Sequence, residues 1–480
     1  MVSAVLFITF FVLLVLNVPI SICLGLSSAA AILYSGTSLT IVATNIYSGI
    51  SKFLLLAIPF FVLSGNIMAK AGISTRLIRF VDTCVGHRKG GIANVCIIVA
   101  CFFGAISGSG PATVAALGAV LIPAMVERGG FSAAFSTALM ATSSSIAIVI
   151  PPSIAFVVYA SITGVSIGDM FMAGIIPGIL MGLALVVVVM LEVRRNHVVP
   201  STVEKASAKE RWNAFKDAFW GFLMPVIILG GIYGGIFTPT EAAAVSVVYG
   251  LFVGMIIYKE VKFKDLWEIL IDSAKTTGGI MLIVACASLF SIVCTRFGIS
   301  TAASELLARV AGNQFTFLLI CNIIFLIAGC FIDANSAMYI FIPIMLPVCK
   351  ALGYNVIAFG IMATVNLAIG QVTPPVGVNL FVAVGIKLRD GIRVTLQEIS
   401  RAVVPMVAAS IVVLLIITYI PQISTCLPAA LGSAAAIENG ETAGGDSGTT
   451  QTDNDDFNTI GDYSDLDWAD MTWNFTCSTT

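Results

Sequence analysis

Hydrophobic residues run through this chain in long blocks separated by short polar or charged connections. Many blocks reach about 18 residues, enough for a helix to cross the hydrocarbon core of a bilayer. A crossing segment must satisfy its own backbone hydrogen bonds, so the blocks read as helices. The pattern places them at about 3–25, 28–46, 53–70, 92–107, 111–126, 131–165 (interrupted), 170–191, 219–236, 240–258, 277–296, 315–331, 335–349, 355–386 (interrupted) and 402–421. The alternation expected of a membrane β-barrel is absent. Two charged stretches, 200–218 and 259–276, carry aromatic anchors (Trp212, Phe215, Trp220; Phe263, Trp267) at amphipathic spacing and read as separate interfacial helices.

One segment recurs. An offset of 224 residues carries Pro123 onto Pro347, Ala134 onto Ala358, Phe135 onto Phe359 and Ser109 onto Asp333. After a one-residue gap, Pro151-Pro152 falls on Pro374-Pro375. Each copy has a polar or Gly-rich break, an apolar helix ending near a proline, a short turn, a second apolar helix and a polar break closing in Pro-Pro. The number of crossings between the copies predicts that the second is upside down relative to the first. Inverted repeats with interrupted helices place substrate and ion sites near the bilayer midplane. The expectation is an all-α polytopic membrane protein with two inverted repeats, each holding a re-entrant helical hairpin and a broken transmembrane helix.

Composition narrows the class. The chain is 58% hydrophobic and 10% charged, with a mean hydropathy of +1.02, against about 25% charged in an ordinary soluble domain. No basic stripe suits nucleic acid. Eleven cysteines form no CxxC pair and read as small apolar packers. The two histidines, His87 and His197, lie in charged loops, so no nucleophile–base or metal set at membrane depth is offered and an intramembrane enzyme is disfavoured. No GxxxxGK[ST] loop supports an ATP-driven pump. The first residues lack a basic n-region and a small-residue cleavage site, and read as a retained first helix.

Basic clusters (Lys70 to Lys89, Arg194 to Arg211, Lys259 to Lys275, Lys387 to Arg393) are assigned to the cytoplasm, which puts the N-terminus and the C-terminal tail outside. Ordinary pairs of crossings at 92–126 and 315–349 would leave the same loop sides, so re-entry is argued from the residues at the tips. Residues 433–480 are acidic and Gly/Ser/Thr-rich and read as a disordered tail.

Four breaks carry the candidate chemistry: 107–113, 142–153, 333–336 and 370–375. Irregular backbone at membrane depth belongs where it is buried in protein or lines a wet cavity. It frees carbonyl oxygens, and Ser, Thr, Asn and Asp add side-chain oxygens, the ligands a hard cation takes. Asp333 is an intramembrane acid and a functional candidate by default. It also reads as the cap of the helix after it, and the two roles are compatible. Ser107 and Ser109 also read as small packing residues, and Glu241 reads first as a first-turn acid behind Thr238, with a substrate or ion role left open.

The stretches GAISGSGPATVAALG, IVIPPSIAFVVYASITGVSIGDMFMAGIIPG, GIFTPTEAAAVSVVYG and GQVTPPVGVNLFV resemble the large membrane subunit (DctM type) of tripartite ATP-independent periplasmic (TRAP) transporters, a similarity spanning about residues 1–432. The tail does not take part in it. The resemblance implies a subunit of the bacterial or archaeal inner membrane, embedded in the lipid bilayer. Such a subunit works with a separate small four-helix membrane subunit and an extracytoplasmic solute-binding protein. It implies Na+-coupled uptake of a small organic acid, such as a C4-dicarboxylate, sialic acid or another sugar or keto acid. Transport would follow an elevator motion, with repeats at about 71–191 and 297–421 and scaffold helices at about 1–70 and 200–275. It places Na+ at Ser107, Ser109, Val149 and Pro151, and at Asp333, Gly370, Val372 and Pro374, with the Val, Gly and Pro positions acting through main-chain carbonyls. A stand-alone carrier of related architecture and a channel are the competing readings.

Overall fold

The computed structural model describes residues 1–16, 18–195, 205–386 and 394–432, and every regular element among them is helical. The chain opens with α1 (Val2–Val15), α2 (Ile20–Tyr34), α3 (Thr40–Ile50), α4 (Ala57–Lys70) and α5 (Ile73–Val85). Then come α6 (Gly91–Ser107), α7 (Gly110–Glu127), α8 (Ala133–Ser145), α9 (Ile154–Thr163) and α10 (Ile167–Arg195). The middle holds α11 (Ala208–Tyr233), α12 (Pro239–Leu251) and α13 (Phe263–Arg296). The rest is α14 (Ile299–Ala311), α15 (Gln314–Phe331), α16 (Ala334–Ala351), α17 (Val356–Gly370), α18 (Val378–Val384), α19 (Leu396–Ala402), α20 (Val404–Tyr419) and α21 (Gln422–Ala430). Among the described residues, eight helices are long and apolar enough to cross a membrane, and nine if the bent pair α19–α20 counts as one span. The outward faces of such helices are apolar too: Leu183, Val187 and Leu191 of α10 are exposed while Met181, Leu185 and Val189 are buried. A helix apolar all round belongs in lipid or a large core.

The helices repeat as the sequence does. Gly110–Glu127 begins and ends 224 residues before Ala334–Ala351, and α5, α6 and α8 have α14, α15 and α17 as counterparts. Both interrupted crossings are broken around their Pro-Pro pairs, at 146–153 and at 371–377; the predicted break at 142–153 starts later than its polar run, since Thr142 to Ser145 remain in α8. In each copy the two helices flanking the first break are separated by only two residues and pack against each other.

Several boundaries differ from the pattern. The block at 3–25 is two helices, because Val18-Pro19 interrupts it and Pro19, which has no N–H to donate, caps the start of α2. The described parts of the stretches 200–218 and 259–276 do not form separate interfacial helices. From Ala208 and from Phe263 they belong to α11 and α13, of 26 and 34 residues, which run on without a stop. Ser207 and Glu210 form a capping box that starts α11, and Thr276-Thr277-Gly278-Gly279 lies within α13 without ending it. Two amphipathic helices, α5 and α14, stand in stretches left outside the predicted helices. In α5 the buried positions Ile73, Leu77 and Val81 recur every four residues, while Arg79 stays exposed and pairs with Asp217. That stripe is narrow, and the basic residues around it hide it from a hydropathy scan. His197, Lys387, Arg389, Arg393 and the 433–480 tail lie outside the described residues.

Glu241 is accounted for by local structure. Its carboxylate accepts from Thr238 N at 2.8 Å, and Glu241 N donates to Thr238 Oγ1 at 3.3 Å, a capping box ahead of α12. We expect Thr238→Ala to cost about 1 kcal/mol of stability in thermal or denaturant unfolding, with uptake keeping its wild-type ion dependence.

Candidate functional site: four helix breaks around one cavity

The first break is short. Helix α6 ends at Ser107, Gly108 takes φ +59°, and Ser109 in an extended conformation starts α7. Thr113 Oγ1 donates to the Ser109 carbonyl at 2.8 Å and lies 2.8 Å from Ser107 Oγ. With its proton spent on Ser109, Thr113 receives the Ser107 proton; Ser107 Oγ also accepts a long contact from Ser109 N at 3.4 Å, which leaves one lone pair to accept. The second break leans on the first. A Cβ at Gly108 would stand 2.9 Å from the Pro152 carbonyl oxygen, and one at Gly104 2.6 Å from Ala147 Cα. Only glycine allows backbones this close, and only glycine takes this φ without cost. Ser153 Oγ donates to the Ile148 carbonyl. Val149 is fully buried, and its carbonyl oxygen faces Gly174 of α10. Pro151 lies beside a separate apolar crevice shared with Cys101 and Phe102.

The third break is capped by Asp333. Its Oδ2 accepts from Asn335 N at 3.0 Å and Ser336 N at 3.2 Å, and its Oδ1 from Ser336 Oγ at 2.5 Å. The carboxylate thus sits on the positive end of α16. The fourth break leans on the third. Gly370 meets Gly329 backbone to backbone, and Gly377 N donates to the Cys330 carbonyl at 3.2 Å. Val372 is buried and Pro374 half-buried.

All four breaks meet at one cavity of about 560 Å³. Its wall includes Ser109, Gly110, Ile148, Ile154, Asp333 and Gln371, with the start of α2 and Lys275, Thr276 and Gly279 of α13 opposite. Of the eight predicted ion residues, Ser109 and Asp333 line it and Ser107, Val149, Pro151, Gly370, Val372 and Pro374 do not. The sequence did not single out Asn379, which is fully buried in α18 against Gly110 with both amide atoms lacking a partner. Its backbone N–H donates to the Gln371 carbonyl at 3.1 Å, tying α18 to the fourth break. A buried polar residue two positions beyond the Gly377 turn is the only local signal for it. Lys275 and Thr276 were likewise missed, being read as part of a surface helix.

The donor set suits a hard cation. It consists of hydroxyl, amide, carboxylate and main-chain carbonyl oxygens, and no group of three or more His, Cys, Asp or Glu exists among the described residues. Oxygen donors of this kind fit Na+ and not a thiolate or imidazole metal. Gln371 Oε1 and Asn335 Oδ1 are buried without donors, so oxygens remain available there. All ten described cysteines are free thiols, most of them buried.

A multi-pass helical membrane protein with paired helix breaks around a central cavity has the build of a transporter. Comparison identifies which kind. The model of the tripartite ATP-independent periplasmic transporter DctM component matches residues 7–423. The C4-dicarboxylate TRAP transporter large permease protein of Pseudomonas aeruginosa is 41% identical over 410 residues, covering 85% of this chain and 94% of that protein. The isethionate TRAP transporter permease protein of Oleidesulfovibrio alaskensis is 40% identical, covering 87% of this chain and 65% of that protein. The crystal structure of the YdaH transporter of Alcanivorax borkumensis shares the fold, with a TM-score of 0.57 at 14% identity over 79% of this chain and 87% of that one. The chain belongs to the DctM family of TRAP transporter large permease subunits, and it is a transport subunit, not an enzyme.

Proposed function

We propose that this subunit carries a small organic acid inward across the inner membrane, coupled to Na+, by an elevator motion of its two repeats. Helices α6–α7 and α15–α16 are taken as re-entrant hairpins whose tips are the first and third breaks. The repeats, about 71–191 and 297–421, form the moving part. The helices at about 1–70 and 200–275, together with the rest of α13, form the scaffold, and both chain ends lie outside. The observation that carries this reading is the convergence of four breaks, far apart in sequence, on one cavity.

Ser107, Ser109, Val149 and Pro151 are assigned to one Na+, and Asp333, Gly370, Val372 and Pro374 to a second. Bound ions would satisfy oxygens that the broken helices leave without partners, so a tip without its ion is poorly ordered and cannot close over substrate. Coupling follows from that cost. The names of the relatives point to C4-dicarboxylates and isethionate, both small anions, as models for the substrate. A small four-helix membrane subunit and an extracytoplasmic binding protein complete the system.

The test is uptake by the reconstituted membrane complex with its binding protein. Uptake is expected under an inward Na+ gradient and not under an equal K+ gradient, and only with the binding protein present. Equal rates under both cations would remove the Na+ assignment, and uptake by this chain alone would favour a stand-alone carrier.

A further inference from the structure

We propose that Lys275 and Gln371 read the transported acid: Lys275 takes its carboxylate, and Gln371 Oε1 accepts from a hydroxyl on the same molecule. The inference rests on the reading of the central cavity as the transport site, and it narrows the substrate to a hydroxylated carboxylic acid.

Three observations lead there. Among the described residues Lys275 is the one basic residue lining the cavity. Its side chain is 73% exposed, and its only ion pair among them is with Asp272, one turn earlier on α13, at 3.5 Å. A contact that loose yields readily to a better-placed carboxylate. Other positive ends are less available: two N–H groups in the first turn of α16 are already held by Asp333.

The second observation is the pair of orphaned amide oxygens. Gln371 is 5% exposed and lines the cavity, and its Oε1 has no donor; Asn335 also lines it, with a buried Oδ1 that has none. A buried polar atom without a partner is costly, and native proteins rarely leave one except where a ligand or water completes it. A carboxylate offers only acceptors at neutral pH and cannot complete either group, whereas a hydroxyl donates one proton and completes one of them, Gln371 Oε1 being the more deeply buried residue's. The third observation is the remaining wall. Ile20, Ile148, Ile154 and Ile283 are apolar and suit the short carbon chain between the two polar groups.

The experiment uses the purified complex of large and small membrane subunits in NaCl, with thermal stabilisation by matched acids at millimolar concentration. The pairs are malate against succinate and lactate against propionate, each differing by one hydroxyl. The hydroxylated member is expected to act at about tenfold lower concentration, because its analogue leaves the buried Gln371 Oε1 unpaired. Gln371→Leu is expected to erase the difference within each pair, and Lys275→Gln to weaken all four acids together. Equal potency within both pairs, or no effect of any acid on a complex that NaCl itself stabilises, overturns the inference and leaves the transport reading standing. Absence of stabilisation by NaCl as well would count against the ion sites beneath it.

Discussion

Replacing Asp333 by asparagine is expected to raise the Na+ concentration for half-maximal uptake by about tenfold or more, equivalent to at least ~1.4 kcal/mol of lost ion binding. The two roles of this side chain can be separated. As a cap, Asp333 accepts from Asn335 N and Ser336 N at the start of α16. Asparagine caps a helix about as well as aspartate, so Asp333→Asn keeps the structure and removes the charge. Asp333→Ala removes both, and adds about 1 kcal/mol of lost capping. If the carboxylate only caps, the asparagine variant will transport with unchanged Na+ dependence and the alanine variant will merely be less stable. If it holds a cation, both variants need more Na+ for half-maximal uptake, and the asparagine variant does so at wild-type melting temperature. Ser109→Ala and Ser107→Ala probe the opposite break in the same assay. Wild-type half-saturation in Asp333→Asn would sink the assignment of the second ion site.

How far the sequence reached depends on what kind of signal each feature leaves. Broken helices are local events, and their residues announce them: Gly108 at positive φ, Asp333 as a polar residue in an apolar run, and Pro-Pro after each interrupted crossing. The repeat is legible for the same reason, and the helix boundaries follow it to the residue in α7 and α16. Meeting points between distant segments are not legible. Nothing near Asn379 shows that it abuts Gly110, and nothing in the run of α13 shows that Lys275 faces the breaks. Those facts are set by how α13 and α18 pack, which is a tertiary matter. The missed helices α5 and α14 fail for another reason. Each buries only a narrow stripe, so their average polarity conceals their periodicity.

Gly370 offers the sharpest structural test. A Cβ added there would lie 2.5 Å from Gly329 Cα, 2.6 Å from its carbonyl carbon and 3.1 Å from Cys330 N. All three are backbone atoms of α15, so no side chain can rotate away. Gly370→Ala must push α15 and α17 apart, at the cost of about 1–3 kcal/mol typical of overpacking. The displacement falls on the fourth break itself, where Gly370 and Val372 carry carbonyls assigned to Na+, so ion dependence is expected to suffer beyond the loss of stability. The first half has a matching contact in Gly104 and Ala147, whose approach is as close. Gly104→Ala should therefore be destabilising to a similar degree. Gly230 and Gly278 serve as controls, since a Cβ at either meets nothing within 4 Å. Alanine at those two helical positions should leave stability unchanged or raise it by up to ~1 kcal/mol, because alanine favours helix over glycine. Thermal unfolding of the four variants in one detergent would decide the matter. A Gly370→Ala protein that melts with the controls would mean that α15 and α17 do not touch there, and the packing that brings the third and fourth breaks together would have to be redrawn.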